Sequence, residues 1–361
     1  MINKLWLNNF RNYSNQEIAF KSNIVAFVGT NGQGKSNLIE AIFFVSMLRS
    51  FRTTRIADLK TIGSNGFSLG IEYTNNSWQR KLEIDYRETG NRKLLIDQLP
   101  VNKSSDFIRQ IRSVVFSPDD ISIVQGQSGL RRRFVDMLIS VNEPSYMNAL
   151  HDYNRALRSR NAVLRNNKPD MKVIMAFEPI LAQLSCFIIN KRLEYSELLE
   201  NEVILLLQHF FKGDGLFNFI YKNSAGAVSV EQLLKKFAIN RQREQRKGFT
   251  LSGPHLDDFE LYFKNIQLRY FGSTGQCRLI SLCLKMAQIN LLLKNDSKKH
   301  NLIALVDDVY GNLDNRIKEL FMEVINQTGQ IFHTFTNDDN GSQIAGAEVF
   351  KIKAGEILTA K

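Results

Sequence analysis

The chain is poor in the residues that build disulfide frameworks and metal centres. It contains three cysteines, Cys186, Cys277 and Cys283, and no two of them form a CxxC pair. An odd number without that spacing argues against both a disulfide framework and a zinc site. The five histidines are scattered along the sequence, so they predict no metal cluster.

Long apolar runs are also missing. The longest stretches, such as VILLL at 203–207, are far too short to span a bilayer. The N-terminal sequence MINKLWLNNFRNYS has neither an apolar segment nor a small-residue cleavage site, so it does not read as a signal peptide. These features lead us to expect a cytosolic protein.

Positive charge, in contrast, is abundant. The chain carries 47 Lys and Arg against 36 Asp and Glu, a formal net charge of +11. Such a surplus favours a polyanionic partner, either nucleic acid or an anionic membrane surface. A soluble basic surface without any such partner is the alternative.

The pattern of the chain changes twice. Residues 1–120 alternate strand and helix patterns and include an antiparallel meander at 67–100, and strand patterns return from 240 to 361, beginning with FTLSGPHLDDFELYF and IQLRYFGSTGQ. Between 121 and 239 glycine becomes rare and the apolar periods are helical. We therefore predict an α/β fold in which the two outer segments form one discontinuous parallel-sheet domain and the middle forms a mostly helical insert.

The stretch FVGTNGQGKS at 27–36 matches G-x-x-x-x-G-K-[ST] between a predicted strand and a predicted helix. Its glycines let the backbone wrap round a phosphate, with N–H groups pointing inward at the positive end of a helix dipole. We predict that Lys35 contacts the β- and γ-phosphates and that Ser36 binds Mg²⁺. A chance match in a glycine-containing turn is the alternative. The residues assigned to the nucleotide are Gly29, Thr30, Asn31, Gly32, Gln33, Gly34, Lys35 and Ser36.

A second acidic signal lies near the C-terminus. The apolar strand LIALVDDV at 302–309 ends in two carboxylates. Asp307 is placed to coordinate Mg²⁺, and Asp308 is placed as a general base or to position water. A strand that simply ends in an Asp-rich turn is the alternative.

A third signal precedes a predicted helix. In FGSTGQ, Ser273, Gly275 and Gln276 form a second anion cradle, unless they are an ordinary helix cap. One γ-phosphate does not need two cradles, so we infer that this cradle serves the nucleotide of a second copy. In GNLD at 311–314, Asp314 is placed to cross the subunit boundary, although that signal is weak by itself.

Together these segments resemble the Walker A, signature, Walker B and D-loop motifs of the ABC-type ATPases. Their order, with LWLNNFRNYS, LRSFRT, VVFSPDD, GLRRRFVD and SGPHLDD, closely resembles the RecF recombination mediator family from residue 5 to about 336. The resemblance implies an ABC-type P-loop ATPase head with a helical arm. It also implies a monomer that binds ATP and Mg²⁺, dimerises around them and hydrolyses ATP slowly, stimulated by DNA, with Lys35, Asp307 and Asp308 catalytic.

The same resemblance implies action on DNA at single-strand gaps, with RecR and RecO as partners and RecA loading through them. The chain departs from ABC transporters in Thr274, where they carry glycine, in Asp308, where they carry glutamate, and in Gly311, where serine is expected. The residue that senses the γ-phosphate stays open between His333, Thr334 and Thr336.

Three basic clusters are candidates for DNA contact. They are Arg131, Arg132 and Arg133; Arg155, Arg158 and Arg165 on one helical face; and Arg241, Arg243, Arg246 and Lys247 in RQREQRK. Each could equally be a solvated charged face. No helix-turn-helix or zinc-finger pattern is evident, so we expect phosphate contacts that are salt-sensitive and largely independent of base sequence.

Two other functions remain open from the sequence. The first is an ABC-type motor subunit of another system, such as a transporter. The second is a structural clamp that ATP locks on DNA, with only incidental turnover.

Overall fold

The computed structural model describes residues 1–75, 78–108, 110–213, 216–294, 302–310, 313–336, 344 and 346–360. The chain divides into two compact units. The first combines Met1–Asp119 with Gln288–Lys361, and the second is Asp120–Ala287.

The described strands, in chain order, are β1 Ile2–Phe10, β2 Tyr13–Ala19, β3 Ile24–Val28, β4 Gly66–Asn75, β5 Trp78–Arg87, β6 Arg92–Ile96, β7 Leu99–Pro100, β8 Arg112–Phe116, β9 Phe217–Lys222, β10 Asp258–Phe263, β11 Ile266–Gln267, β12 Leu302–Asp307, β13 Gln330–Phe335, β14 Glu348–Lys353 and β15 Glu356–Ala360. The described α-helices are α1 Lys35–Met47, α2 Ser104–Ile108, α3 Ile121–Gln125, α4 Ser128–Asn142, α5 Pro144–Leu164, α6 Met171–Ala176, α7 Glu178–Leu207, α8 Val230–Lys247, α9 Leu268–Phe271, α10 Thr274–Lys294 and α11 Asn315–Ile325.

The first unit contains an antiparallel sheet in the order β2-β1-β4-β5-β6-β7. Its strands alternate buried and more exposed positions, as Leu82, Ile84 and Tyr86 show on β5. This period of two gives one apolar face that packs on the core. The meander predicted from the sequence is confirmed.

The second sheet of this unit has the order β15-β14-β3-β13-β12-β8. Strands β14, β3, β13, β12 and β8 run parallel, and β15 is an antiparallel edge strand. Every residue of β12 and β13 is buried, as expected for central strands of a parallel sheet. Strands from both ends of the chain therefore share one sheet, as the sequence predicted.

Helix α1 contacts β1, β4 and β5 of the first sheet and β8, β12 and β13 of the second. Nearly all its side chains are buried, including Glu40. A helix that is covered on all sides carries no polar face, which accounts for the continuous apolar run that follows the glycine loop.

The second unit is mainly helical, with a small sheet in the order β11-β10-β9. Strand β9 lies inside the stretch that we predicted as helical, and β10 pairs with it along its whole length. Because of this pairing the second unit extends to Ala287, whereas the sequence pattern placed the return to the head near 240. The segment at 268–271, expected to be extended, forms the short helix α9.

Among the described helices, one segment, Met171–Leu207, is long and apolar enough to cross a membrane by length and composition alone. In the structure it forms α6 and α7, and α7 packs against α5, α8 and β9. It also buries Glu178, Arg192 and Glu202 within this unit. We interpret α7 as a core helix of the second unit.

Arg192 joins three segments of the second unit. Its guanidinium donates to both carboxylate oxygens of Asp136 at 2.9 and 3.0 Å, to Asp257 Oδ2 at 3.2 Å and to the carbonyl of Pro254 at 2.7 Å. Asp257 is fully buried and also accepts bonds from Ser224 and from the Tyr221 hydroxyl. We call these residues the Arg192 cluster.

A second buried ion pair lies beside the Arg192 cluster in sequence. Arg131 donates to both oxygens of Asp258 at 2.8 and 3.0 Å, and Arg132 donates to the carbonyl of Asp257. The segments GLRRRFVD and SGPHLDD are therefore bonded directly to each other.

We predict that Asp257→Ala strongly destabilises the protein. The change removes the buried carboxylate that pairs with Arg192 and accepts bonds from Tyr221 and Ser224, and breaking such a pair costs about 3–5 kcal/mol. Urea unfolding followed by circular dichroism measures the loss. Asp152→Ala, at a surface carboxylate paired with exposed Arg155, is the control and should change stability by less than about 0.5 kcal/mol. Equal unfolding midpoints for the two variants would contradict the prediction.

Candidate nucleotide-binding site

The glycine loop lies between β3 and α1 and needs glycine at two positions for steric reasons. Gly29 has φ 154°, and a Cβ there would lie 2.4 Å from the carbonyl oxygen of Ile352 on β14. Gly34 has φ 114°, and a Cβ there would lie 2.7 Å from the Asn12 amide nitrogen. Both glycines therefore allow the loop to pass close to neighbouring backbone and side chains.

Lys35 begins α1 and is 6% exposed. Its Nζ donates to the carbonyl oxygens of Gly29 at 2.6 Å and Thr30 at 2.8 Å. Burial lowers the pKa of Lys35, while Asp308 and Asp307 oppose that shift. The ammonium thus lies folded over the loop that is predicted to hold the phosphates.

Ser36 and Asp307 meet although they lie at opposite ends of the chain. Ser36 Oγ donates to Asp307 Oδ1 at 2.7 Å, and the same oxygen accepts a bond from Thr334 Oγ1 at 2.9 Å. Burial raises the pKa of Asp307, and the two hydroxyl donors act in the opposite direction. The hydrogen bond between Ser36 and Asp307 therefore joins the two side chains that the sequence analysis assigned to Mg²⁺.

This donor set fits Mg²⁺. The ion prefers oxygen ligands and is usually held by one or two protein groups together with phosphate oxygens and water. The described residues contain no group of three or more His, Cys, Asp or Glu side chains that could hold a metal by themselves. A hydroxyl and a carboxylate beside a phosphate loop match this pattern.

Gln33 was predicted to contact nucleotide, but its side chain bonds the protein. Its Oε1 accepts the Ala354 N–H at 2.6 Å, and its carbonyl accepts the Gly355 N–H at 2.9 Å and the Asn12 amide at 3.2 Å. The turn between β14 and β15 therefore fixes the middle of the loop.

The sequence analysis did not assign the residues that anchor α1. Glu40 is fully buried and accepts two bonds from Arg11 at 2.7 and 2.8 Å, one from Ser50 and a longer one from Arg52. Arg52 also donates to Asn37 Oδ1 at 2.7 Å. Arg11 lies in the segment LWLNNFRNYS and Arg52 in the segment LRSFRT. These two segments were the sequence signal from which the anchoring role could have been predicted.

Of the three candidates for the γ-phosphate sensor, His333 and Thr334 lie on opposite faces of β13, and Thr336 follows the end of that strand. Thr334 bonds Asp307 and also accepts the Asp308 N–H at 2.9 Å, and Thr336 is half-buried at the strand end. His333 is fully buried on the other face, stacked on Phe335 with ring centroids 5.5 Å apart. Neither His333 ring nitrogen has a hydrogen-bond partner in the described part of the chain, and burial lowers its pKa to about 3.

Ser273 and Gln276 lie in the second unit, at the start of α10. Ser273 Oγ accepts the Gln276 N–H at 3.2 Å, and Gln276 Oε1 accepts the Ser273 N–H at 2.9 Å. This reciprocal pair is a helix capping box, so the ordinary-cap interpretation describes these bonds. Ser273 and Gly275 are exposed, and a Cβ on Gly275 would meet nothing within 4 Å.

Asp314 caps α11, where its side chain accepts the Ile317 N–H at 3.1 Å. This bond is local and gives no evidence of a contact across a subunit boundary. Gly311 and Asn312, the first two residues of the predicted D-loop, lie outside the described residues.

The first basic cluster needs correction. Arg131 is 1% exposed and ion-paired with Asp258, so it cannot reach DNA in this fold. Arg132 and Arg133 are half-buried, and Arg132 is bonded to the Asp257 carbonyl. Arg131 and Arg132 thus bond other segments of the second unit.

The other two basic clusters lie at the surface. Arg155 and Arg158 are exposed on α5 and Arg165 is exposed directly after it, while Tyr153 and Leu157 on the other side of the helix are buried. In the third cluster Arg241 pairs with Glu178, and its remaining cationic side chains, Arg243, Arg246 and Lys247, are exposed.

Known proteins with the same features fall into one group. The family model described as RecF/RecN/SMC N terminal domain matches residues 1–353. The DNA replication and repair protein RecF of Leptospira interrogans (serovar Lai) is 32% identical over 99% of both chains. That of Ruminiclostridium cellulolyticum is also 32% identical over 99% of both.

Solved structures agree with these relatives. The recombination mediator protein RecF with ATP, from the RecFOR pathway, has a TM-score of 0.91 and 28% identity, with coverage of 100% of this chain and 97% of that one. An SMC head bound to the C-winged helix domain of ScpA has a TM-score of 0.51 and 15% identity, covering 99% and 97% of the two chains. The latter likeness concerns the fold alone.

We predict that His333 makes the protein sensitive to acid. Its pKa is depressed on folding, so the unfolded chain takes up a proton near pH 6.5, whereas the native state does so only near pH 3. The contribution of neutral His333 is complete above about pH 6.5 and is lost by about 1.4 kcal/mol per pH unit as the pH falls toward 3.

His333→Phe and His333→Leu should therefore flatten the slope of unfolding free energy between pH 6.5 and 4.5, whatever their effect at neutral pH. Urea unfolding at several pH values measures this slope. His151→Gln, at an exposed histidine, is the control and should keep the original slope. An unchanged slope in both His333 variants would refute the prediction.

Proposed function

The chain belongs to the RecF family of ATP-binding recombination mediators in DNA repair and replication, and we propose that it acts as an ATP-dependent clamp on DNA at single-strand gaps. The single observation that carries the proposal is the hydrogen bond between Ser36 and Asp307 beside Lys35, which brings together residues from both ends of the chain that would hold a triphosphate and Mg²⁺. A nucleotide bound there contacts residues from both ends of the chain, so its binding can control the conformation of the protein.

Within this proposal Lys35 leaves the loop carbonyls and contacts the β- and γ-phosphates, while the N–H groups of residues 29–36 surround them. Ser36 and Asp307 would hold Mg²⁺, which when bound neutralises phosphate charge. Asp308 positions the attacking water. Its side chain is shorter than glutamate, which is consistent with slow, DNA-stimulated turnover.

We infer that two copies close on ATP. Ser273 and Gly275 of one copy would face the triphosphate held by Lys35 of the other. Two observations support this inference: both residues are exposed, and the adjacent Tyr270 and Phe271 are 65% and 75% exposed. Large aromatic side chains at a surface are typical of a protein interface.

DNA contact is assigned to Arg155, Arg158 and Arg165. They lie exposed on α5 and at the residue that follows it, and they can reach phosphates without reading bases. We propose RecR and RecO as direct partners and RecA as an indirect one, and a cytoplasmic location.

A second function within the same family is a clamp that ATP locks mechanically, with incidental hydrolysis. The observation that favours it is the aspartate, Asp308, at the position where transporters carry glutamate. A single-turnover hydrolysis assay with and without gapped DNA separates the two, because only a DNA-regulated ATPase changes its rate.

We predict ATP-dependent dimerisation. Asp308→Asn should sediment as a dimer with saturating ATP and Mg²⁺ because bound ATP persists. Lys35→Met should remain a monomer because it lacks the cation that holds the γ-phosphate. Ser273→Arg should also stay monomeric but still bind ATP, since only the second cradle is blocked. A monomer of Asp308→Asn at saturating ATP would rule out the shared site.

We predict that replacing Arg155, Arg158 and Arg165 with Gln weakens DNA binding. Each lost phosphate contact reduces the dependence of log affinity on log salt by about 0.9 for duplex DNA, so the slope should fall by up to about 3. Titration of gapped, duplex and single-stranded probes with ATP measures it.

Arg80, Arg87 and Lys93, exposed on the antiparallel sheet, provide a control with the same loss of charge. Changing these three to Gln should leave the salt slope near its original value. Equal slopes for the α5 variant and the unsubstituted protein would show that the α5 arginines do not touch phosphate.

A further inference from the structure

One buried hydroxyl contacts two consecutive acidic residues of the site. Thr334 is 2% exposed, and the strand register pairs it with Asp307 on the neighbouring strand β12. Its Oγ1 donates to Asp307 Oδ1 at 2.9 Å and accepts the backbone N–H of Asp308 at 2.9 Å. Donor and acceptor capacity of the hydroxyl are therefore used on adjacent residues.

The bond to Asp307 restricts the direction of its carboxylate. Oδ1 receives hydroxyl donors from two sides, Ser36 on α1 and Thr334 on β13. Ser36 alone would leave rotation about the side-chain bonds open, whereas two donors on different elements fix the carboxylate plane. This is the relation that outer partners have to a metal ligand, and their loss typically lowers metal affinity or activity by about 10- to 100-fold.

The bond to Asp308 acts on the backbone. Asp308 has φ 53°, in the left-handed region that side chains other than glycine adopt rarely. It follows the last residue of β12, so its N–H points to Thr334 Oγ1 where the regular ladder ends. Strained backbone of this kind persists only where surrounding contacts determine it, and the Thr334 hydroxyl is one such contact.

We propose that Thr334 is a positioning residue that sets the orientation of both Asp307 and Asp308 for ATP turnover. The inference rests on the proposed ATP-dependent function and adds to it a residue that works through the two carboxylates. His333 has no part in it, because it lies on the opposite face of β13, stacked on Phe335.

The test compares Thr334→Val with Thr334→Ser. Valine keeps the shape of threonine and removes the hydroxyl, whereas serine keeps the hydroxyl. Thr334→Val should bind ATP within about twofold of the unsubstituted protein, because Lys35 and the loop are untouched. Its single-turnover hydrolysis should fall at least about 10-fold, and the Mg²⁺ concentration that half-saturates ATP-dependent dimerisation, measured by sedimentation, should rise about 10-fold. Thr334→Ser should restore both to within about threefold.

Thr328→Val is the matched control, since Thr328 precedes the same strand and its hydroxyl bonds only local carbonyls, those of Ile325 and Gln330. It should leave the rate and the Mg²⁺ dependence unchanged. A second readout is a double-mutant comparison: because Thr334 acts through Asp308, Thr334→Val should slow Asp308→Asn less than it slows the unsubstituted protein.

Unchanged hydrolysis and Mg²⁺ dependence in Thr334→Val would overturn the proposal, and so would failure of Thr334→Ser to restore them. If Thr334→Val unfolds at the assay temperature, the comparison becomes Thr334→Ser against Thr334→Cys, which differ only in the bonding atom, and equal rates overturn it. Failure of the unsubstituted protein to bind ATP would instead refute the proposed function, so the two failures are distinct.

Discussion

The parallel register of β3, β13 and β12 is the constraint on which the nucleotide site depends. Adjacent parallel strands end at the same edge of a sheet, and ligands of such sheets bind beyond that edge. Here the edge carries the glycine loop after Val28, Thr334 near the end of β13 and Asp307 at the end of β12. A shift of one residue in either pairing would turn Thr334 or Asp307 to the opposite face and separate Ser36 from its carboxylate.

In the second unit, buried arginines bond aspartates of the same unit. Two of its buried arginines, Arg131 and Arg192, do not face an anionic ligand, because they bond Asp136, Asp257 and Asp258 within the fold. Desolvation makes a buried ion pair expensive, and it is tolerated only where further hydrogen bonds complete it. The Arg192 cluster meets this condition, since Asp257 also receives Ser224 and Tyr221. Hydrogen bonds of the fold thus join the segments GLRRRFVD and SGPHLDD, and fewer arginines are available to DNA than the sequence count suggests.

The sequence predicted those features that local chemistry determines. Three glycines before Lys35, between a strand and a helix, are typical of a phosphate-binding loop, and an apolar strand that ends in carboxylates identified Asp307. Features set by long-range pairing were missed: β9 looked like part of a helical stretch, and without its pairing β10 was assigned to the head. The position of Arg131 was readable in principle, because it falls at i with Phe134, Val135 and Leu138 at i+3, i+4 and i+7, the buried stripe of α4. The three arginines do not form one patch, because a helix turns successive side chains to different faces.

The loop is held in shape by protein contacts alone, which bears on how a nucleotide could control the molecule. Gln33 is fixed by the Ala354–Gly355 turn and by Asn12, and Ile352 lies against Gly29. A loop that protein contacts already hold loses little conformational freedom on binding, so ordering it costs little of the binding free energy. The Lys35 ammonium bonds loop carbonyls and must exchange them to reach a phosphate, whereas the Ser36 hydroxyl already lies against Asp307. ATP binding therefore acts first on these two side chains and on the strand ends that they contact. There Thr334 hydrogen-bonds both Asp307 and the strained backbone of Asp308.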